Sequence, residues 1–289
     1  MFRTAAVSAA LALALAPSPD QTRPIQLEAA DCSQVNQMYG DYEVARAVQH
    51  GRVPVSGGTL EVRPDANGGV RIERGSGGEY AITACIGAGA RSQAEAQAAA
   101  DAVRLELSGN RVRVTGIQDR AIRNWSVQLI VLAPDGASID VATSNGPIGV
   151  SGLSGTFTLR ASNGPISLSG VDGEVKANAS NGPISIEGGR GTYDVETANG
   201  PIGVRLTGQR WDGSLTARAG NGPLTLTLPA DYQTGVEISS SSRSPWSCRA
   251  AACRNAQGWD EGARTLRLGR DAVAVHLSTV NGPVTINER

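Results

Sequence analysis

The residues best suited to acid–base chemistry in this 289-residue chain are Lys176, Asp172 and Asp194, with Glu196 two positions further on. A lysine base or a pair of carboxylates is what a polysaccharide lyase or hydrolase requires. A general acid also needs its pKa raised. Here Lys176 falls one repeat before Asp194, and Arg218 falls one repeat after Glu196. A basic neighbour keeps a carboxylate ionised, so the spacing reads as a solvated ladder of ion pairs, each worth at most about 1 kcal/mol. His50 and His276 have no serine or cysteine that the pattern brings close, and the chain carries no phosphate loop, dinucleotide fingerprint or zinc motif. The expectation is a protein with no catalytic residues, no cofactor and no metal, and hence not an enzyme.

The four cysteines are Cys32, Cys85, Cys248 and Cys253. An even count in an exported chain suggests two disulfides. Cys248 and Cys253 share one short Arg- and Ala-rich loop, which favours a local bridge and leaves Cys32 with Cys85, although three pairings are open. Export is itself read from the N-terminus: Arg3, an apolar run over 5–16, then Pro17-Ser18-Pro19. That run has the length of a signal-peptide core and is too short to span a bilayer. No other segment is long and apolar enough for a transmembrane span. The expected location is the periplasm, the cell surface or the medium. A net charge of −1 gives no electrostatic case for nucleic acid.

What positions these residues is a repeat. Asn-Gly-Pro recurs at Asn145, Asn163, Asn181, Asn199 and Asn221, in steps of 18, 18, 18 and 22 residues, and again at Asn281. A fixed period near this length marks a solenoid of stacked coils. Counting from the asparagine, positions −6, −4 and −2 are apolar or small while −5 and −3 are mostly polar; positions +3 and +5 are aliphatic, as in Ile148/Val150 and Ile184/Ile186. That alternation is the mark of strands with one buried face. The asparagines form a structural turn ladder, hydrogen-bonding from coil to coil. Asn and Gly tolerate left-handed backbone, and Pro restarts the extended run. The outward positions form columns, and Arg160, Lys176, Asp194, Glu196 and Arg218, with Trp259, are the candidate binding surface.

The expected fold is therefore all-β: a single-stranded parallel β-helix or β-solenoid with coils of about 18 residues and one short inserted helix, the alternative being an antiparallel β-sandwich. The expected divisions are a signal peptide (1–19), a lead-in (20–50) with weak helical character over 31–50, a β-rich part (51–138) and the repeat array (139–289). Strands are expected at 53–55, 59–63, 70–73, 80–86, 104–107, 111–115 and 125–132. The helix is placed at 92–103, where Ser92 and Glu95 make a capping box before an alanine-rich body. Asn67-Gly68-Gly69 resembles a degenerate repeat corner. Val236-Glu237-Ile238 resumes the repeat with Ser242 at the asparagine position, 243–264 is an insertion of the kind that often carries a binding loop, and the last coil surrounds Asn281.

These residues resemble the bacterial DUF4097 proteins. The resemblance rests on Ile139-Asp-Val-Ala-Thr-Ser-Asn-Gly146, Gly200-Pro-Ile-Gly-Val-Arg-Leu-Thr-Gly208 with Trp211-Asp-Gly213, Leu226-Thr-Leu-Pro229, and upstream Asn67-Gly-Gly-Val-Arg-Ile72, the alanine-rich helix and Trp125-Ser-Val127, and covers residues 50–289. It implies an exported, adhesin-type protein with a β-solenoid-like fold and no catalytic residues. The expected function is an envelope-associated binding module for an envelope or extracellular ligand, polysaccharide or protein. The alternatives are a polysaccharide-acting enzyme on a β-helix, by analogy of fold, and a structural or stress-related envelope component that self-associates through its exposed solenoid ends. Pro after Asn-Gly, where that family often has Asp, Ser or Gly, and the Cys248–Cys253 loop set this chain apart.

Overall fold

The computed structural model describes residues 32–35, 39–64, 67–116, 124–241, 245–254, 256 and 264–289. The expected signal peptide and Trp259 lie outside the described residues. The described chain is all-β, with two 11-stranded mixed sheets. Each repeat places one strand in each sheet. The strands before the corners (Ala137–Thr143, Ser154–Ala161, Asp172–Asn181, Arg190–Asn199, Gly213–Asn221 and Val273–Asn281) pair in parallel and in repeat register, so that Phe157 faces Ile139 on one side and Val175 on the other. The strands after the corners (Ile148–Ser151, Ile166–Ser169, Ile184–Glu187, Ile202–Arg205, Leu224–Leu228 and Val284–Glu288) do the same in the second sheet. We call these the pre-turn and post-turn sheets. Antiparallel pairs occur towards their ends.

Strand alternation puts one aliphatic row from each sheet inside. Ile139, Phe157, Val175, Tyr193, Leu215 and Val275 are buried from the pre-turn sheet, and Ile148, Ile166, Ile184, Ile202, Leu224 and Val284 from the post-turn sheet, all in one continuous core. Each such side chain contributes about 1.5–3 kcal/mol. The 22-residue step also has its reason here. Its extra residues carry Trp211, whose ring meets Tyr193 edge-on at 5.1 Å and whose Nε1 donates to the Gly191 carbonyl at 3.1 Å.

The corners differ from the sequence expectation. No residue other than glycine has positive φ among the described residues, and none of the Asn-Gly-Pro glycines does. Glycine is required there because successive coils approach too closely for a side chain. A Cβ on Gly164 would sit 2.2 Å from the Gly146 carbonyl oxygen, and one on Gly182, Gly200, Gly222 or Gly282 would sit 2.0–2.2 Å from the oxygen of the glycine before it. Left-handed glycines close the opposite corner instead: Gly152 (φ 66°), Gly170 (57°), Gly188 (62°) and Gly208 (67°).

The N-terminal part also departs from expectation. Residues 31–50 were expected to be weakly helical, yet Glu43–Pro54 is a strand paired antiparallel with Glu79–Ala90. Its Ala, Arg and Gln residues favour helix locally, but pairing along twelve residues overrides a propensity of tenths of a kcal/mol per residue. The helix itself is Gln93–Ala102, with the Glu95 amide donating to Ser92 Oγ and Ala96, Ala99 and Ala100 buried. Leu60–Arg63 and Gly68–Arg74 form a coil around the degenerate Asn67 corner. That coil stacks directly on the one containing Asn145, although residues 75–136 intervene in the chain.

A second reordering occurs at the other end. Sequence order places the coil of Val236 between those of Asn221 and Asn281. Instead Gly213–Asn221 pairs with Val273–Asn281, which in turn pairs with Gly235–Ser240. The late coil is inserted, and the earlier segment becomes the outer one. Thr265–Leu268 then pairs antiparallel with Gly235–Ser240 as the edge. In the post-turn sheet the terminal strand is Trp246–Cys248, and Pro245 continues the proline column by accepting from the Val284 amide at 3.1 Å. Ser242 lies outside the described residues.

Gly182→Ala should lower stability by about 3 kcal/mol, because a backbone carbonyl cannot yield to the new methyl. Gly149→Ala, where a Cβ meets nothing within 4 Å, should change it by less than about 0.5 kcal/mol; urea unfolding of both variants checks the contrast. Burial also raises the tyrosine pKa values, strongly for Tyr193 and up to about 12 for Tyr232, from 10.0. The folded chain then holds these protons more tightly than the unfolded one, so their contribution is complete below pH 10 and fades as pH rises through the folded values. The unfolding midpoint should fall steeply between about pH 10 and 12, and less so in Tyr193→Phe and Tyr232→Phe.

Candidate binding surface

The turn ladder is built from amide side chains held in register by the backbone. Asn163 donates from Nδ2 to Asn145 Oδ1 at 3.0 Å, Asn181 to Asn163 at 3.0 Å, Asn199 to Asn181 at 3.1 Å, Asn221 to Asn199 at 3.0 Å and Asn281 to Asn221 at 2.9 Å. An amide suits this because it carries a donor and an acceptor at once. Underneath, where the −2 position is threonine, its buried hydroxyl satisfies a corner carbonyl: Thr143 donates to Gly146, Thr197 to Gly182 and Thr279 to Gly222. The asparagines are therefore spent on each other.

The outward columns of the pre-turn sheet lie as the repeat alignment places them. Lys176 is beside Asp194, and Glu196 beside Arg218. The ion pairs run differently. Arg218 Nη2 meets Asp194 Oδ1 at 2.5 Å, and Arg160 Nη1 meets Asp140 Oδ1 at 2.9 Å. Both run diagonally, from position −3 of one coil to −5 of the coil before. A long arginine reaches the diagonal neighbour of a pleated sheet. Asp140 is also held by Arg63 at 2.5 Å. Lys176 and Glu196, expected to pair with those direct neighbours, make no ion pair among the described residues.

Of the candidate acid–base residues, Lys176 lies beside Asp194, and both aspartates are engaged by arginines. Asp172 is paired with Arg190 at 3.0 Å and Asp194 with Arg218. Asp172 and Lys176 stand four positions apart on one strand, about 13 Å. Among the described residues no group of three or more His, Cys, Asp or Glu side chains could hold a metal.

The cysteines form Cys32–Cys85 and Cys248–Cys253, with Cα separations of 5.5 and 6.4 Å. The first ties the lead-in to the strand Glu79–Ala90; the second closes the loop around the short helix Ala251–Arg254, whose Ala251 amide donates to Glu288 Oε2 at 2.8 Å. That loop lines a cleft of about 750 Å³ with Tyr232, Arg267 and Arg270. The sequence reading located the loop but not the cleft, whose walls also take in residues 230–233 and 267–270, joined by the antiparallel pairing of Gly235–Ser240 with Thr265–Leu268.

No family model matches the chain, and no curated protein matches it. Among solved structures, a putative cell adhesion protein from Clostridium sporogenes is 11% identical, with 85% of this chain and 100% of that one covered at a TM-score of 0.30. A putative adhesin from Bacteroides fragilis is 7% identical, with 85% and 97% covered at 0.35, and one from Parabacteroides distasonis is 9% identical, with 84% and 97% covered at 0.35. Superpositions this loose carry no argument about this chain. No helix among the described residues is long and apolar enough to cross a membrane, and the two disulfides fit an exported protein.

Asn181→Ala removes the ladder bonds to Asn163 and Asn199 and should cost about 1–2 kcal/mol. Arg218→Ala, on an exposed pair, should cost under about 1 kcal/mol. Thermal unfolding of the two variants ranks them.

Proposed function

We propose that this protein is an exported, non-catalytic β-solenoid of the DUF4097 kind, whose pre-turn face binds a ligand of the bacterial envelope or the extracellular space. The observation that carries this reading is the outward column set. Coil after coil presents polar side chains at the strand spacing of about 4.8 Å, and in its middle Lys176, Asn178 and Glu196 have no hydrogen-bond or ion-pair partner among the described residues, whereas Asp140 and Asp194 are neutralised by Arg160 and Arg218. A lattice of that kind suits a ligand with its own repeat, a polysaccharide above all. The Asn-Gly repeat, the Asn67 coil and the capped helix support the family reading. The pairing of Asp172 and Asp194 with arginines speaks against the alternative, an enzyme acting on the same polymer.

The test is co-sedimentation of the purified protein with envelope fractions and a panel of polysaccharides, with released reducing ends measured in the same tubes. The expected result is retention without release, weakened at least about tenfold, or 1.4 kcal/mol, in a Lys176→Ala/Glu196→Ala variant. Release of sugar ends would make the protein an enzyme. Retention indifferent to the double variant would move the site off this face.

A further inference from the structure

The post-turn sheet ends on the strand Glu43–Pro54, which among the described residues is paired on one side only. Its inner face is covered. Gln49 donates from Nε2 to the Val103 carbonyl at 2.6 Å and accepts from the Leu105 amide at 2.8 Å, and Gly51 leaves the space that Leu107 fills. Its free edge makes no backbone hydrogen bond to any described residue. The other sheet ends are short: Trp246–Cys248 is three residues, Thr265–Leu268 four and Arg104–Ser108 five. Short edges discourage pairing with other chains, whereas a twelve-residue edge invites it.

The apolar surface points to the same place. Of the four large hydrophobic residues exposed among the described residues, three lie on this strand or next to it: Tyr42 (44% exposed), Val48 (49%) and Val55 (44%). Val48 is at its centre, with Tyr42 and Val55 flanking the two ends.

We propose that Glu43–Pro54 pairs antiparallel with the same strand of a second copy, across a two-fold axis through Val48, so that the post-turn sheets of two molecules become one. The partner is a second copy because the strand is complementary to itself in this register. With the axis normal to the sheet, residues on the same face oppose each other. Val48 then meets Val48, Arg46 meets His50, Val44 meets Arg52, and Tyr42 meets Pro54 with Val55 beside it. Centring on Gln49 would set Arg46 against Arg52, like charges directly opposed. Centring on Ala47 would set Val48 against Arg46 and Tyr42 against Arg52. The Val48 register alone among these three matches the apolar residues without opposing arginines. The added strand supplies main-chain hydrogen bonds, as in other sheet-edge recognition. This goes beyond the ligand-binding reading, which concerns the other sheet and stands or falls separately.

Sedimentation equilibrium of the full chain over a concentration series should show its mass doubling. Val48→Lys, at an exposed position, should keep the monomer's circular dichroism and abolish the doubling, because two ammonium groups would face each other. Val48→Cys should give a dimer on non-reducing gels, and a mixture of Arg46→Cys and His50→Cys should cross-link more than either alone. A mass that stays monomeric up to the solubility limit would overturn the proposal. So would a dimer that survives Val48→Lys, or one in which Val48→Cys does not cross-link.

Discussion

The distance between successive coils at the Asn-Gly-Pro corner governs the rest of the molecule. Gly146, Gly164, Gly182, Gly200, Gly222 and Gly282 stack so closely that a methyl group on any of the later five would strike the backbone of the glycine before it. Once the corners are at that distance, the strands on both sides are committed to parallel pairing at one register. The aliphatic rows then meet in line, and the asparagine amides come within 2.9–3.1 Å of each other. The hydrophobic rows supply most of the stabilisation, but a slip of two residues along a strand would keep the same face buried. The corner does not allow that slip, because its glycines and asparagines must stack on their like.

The same geometry explains where charge can go. Inside, the threonines at the −2 position, Thr143, Thr197 and Thr279, are admitted because each hydroxyl finds a corner carbonyl, and Ser240 takes the matching place in the outer segment. Outside, pleating sets arginines diagonally across from aspartates, so part of the charged face is neutralised. The surface proposed for binding is thus a by-product of strand alternation, made of positions where the repeat does not need a particular residue.

Much of this was legible in the chain. The position of the strands followed from alternation, and the asparagine column from its spacing, because both depend on residues that recur at a fixed interval. Three features were not legible, each for a physical reason. Residues 43–50 read as weak helix since Ala45, Arg46, Ala47 and Gln49 favour helix locally; only the distant Glu79–Ala90 makes them part of a strand. The corner glycines read as left-handed since φ is the usual reason for glycine, whereas close approach between coils cannot be seen in one repeat. The placement of the last coil was hidden by assuming that chain order is stacking order, although Asn281 was the residue that could have revealed it: it completes the column, and the segment after Val236 offers no asparagine with which to do so.

That placement has a consequence for how the molecule is made. An array of stacked repeats can ordinarily grow by adding each new repeat to the last as the chain emerges. Here the strand Gly235–Ser240 rests on Val273–Asn281, which is synthesised after it. The lid reaches the stack before the layer on which it must sit. Until residues 273–288 arrive, the coil of Asn221 has an unsatisfied edge, and the lid must wait beside it or be displaced from it. A chain crossing a membrane from its N-terminus onward would therefore complete its array in a single late step, with the coils before it already in place.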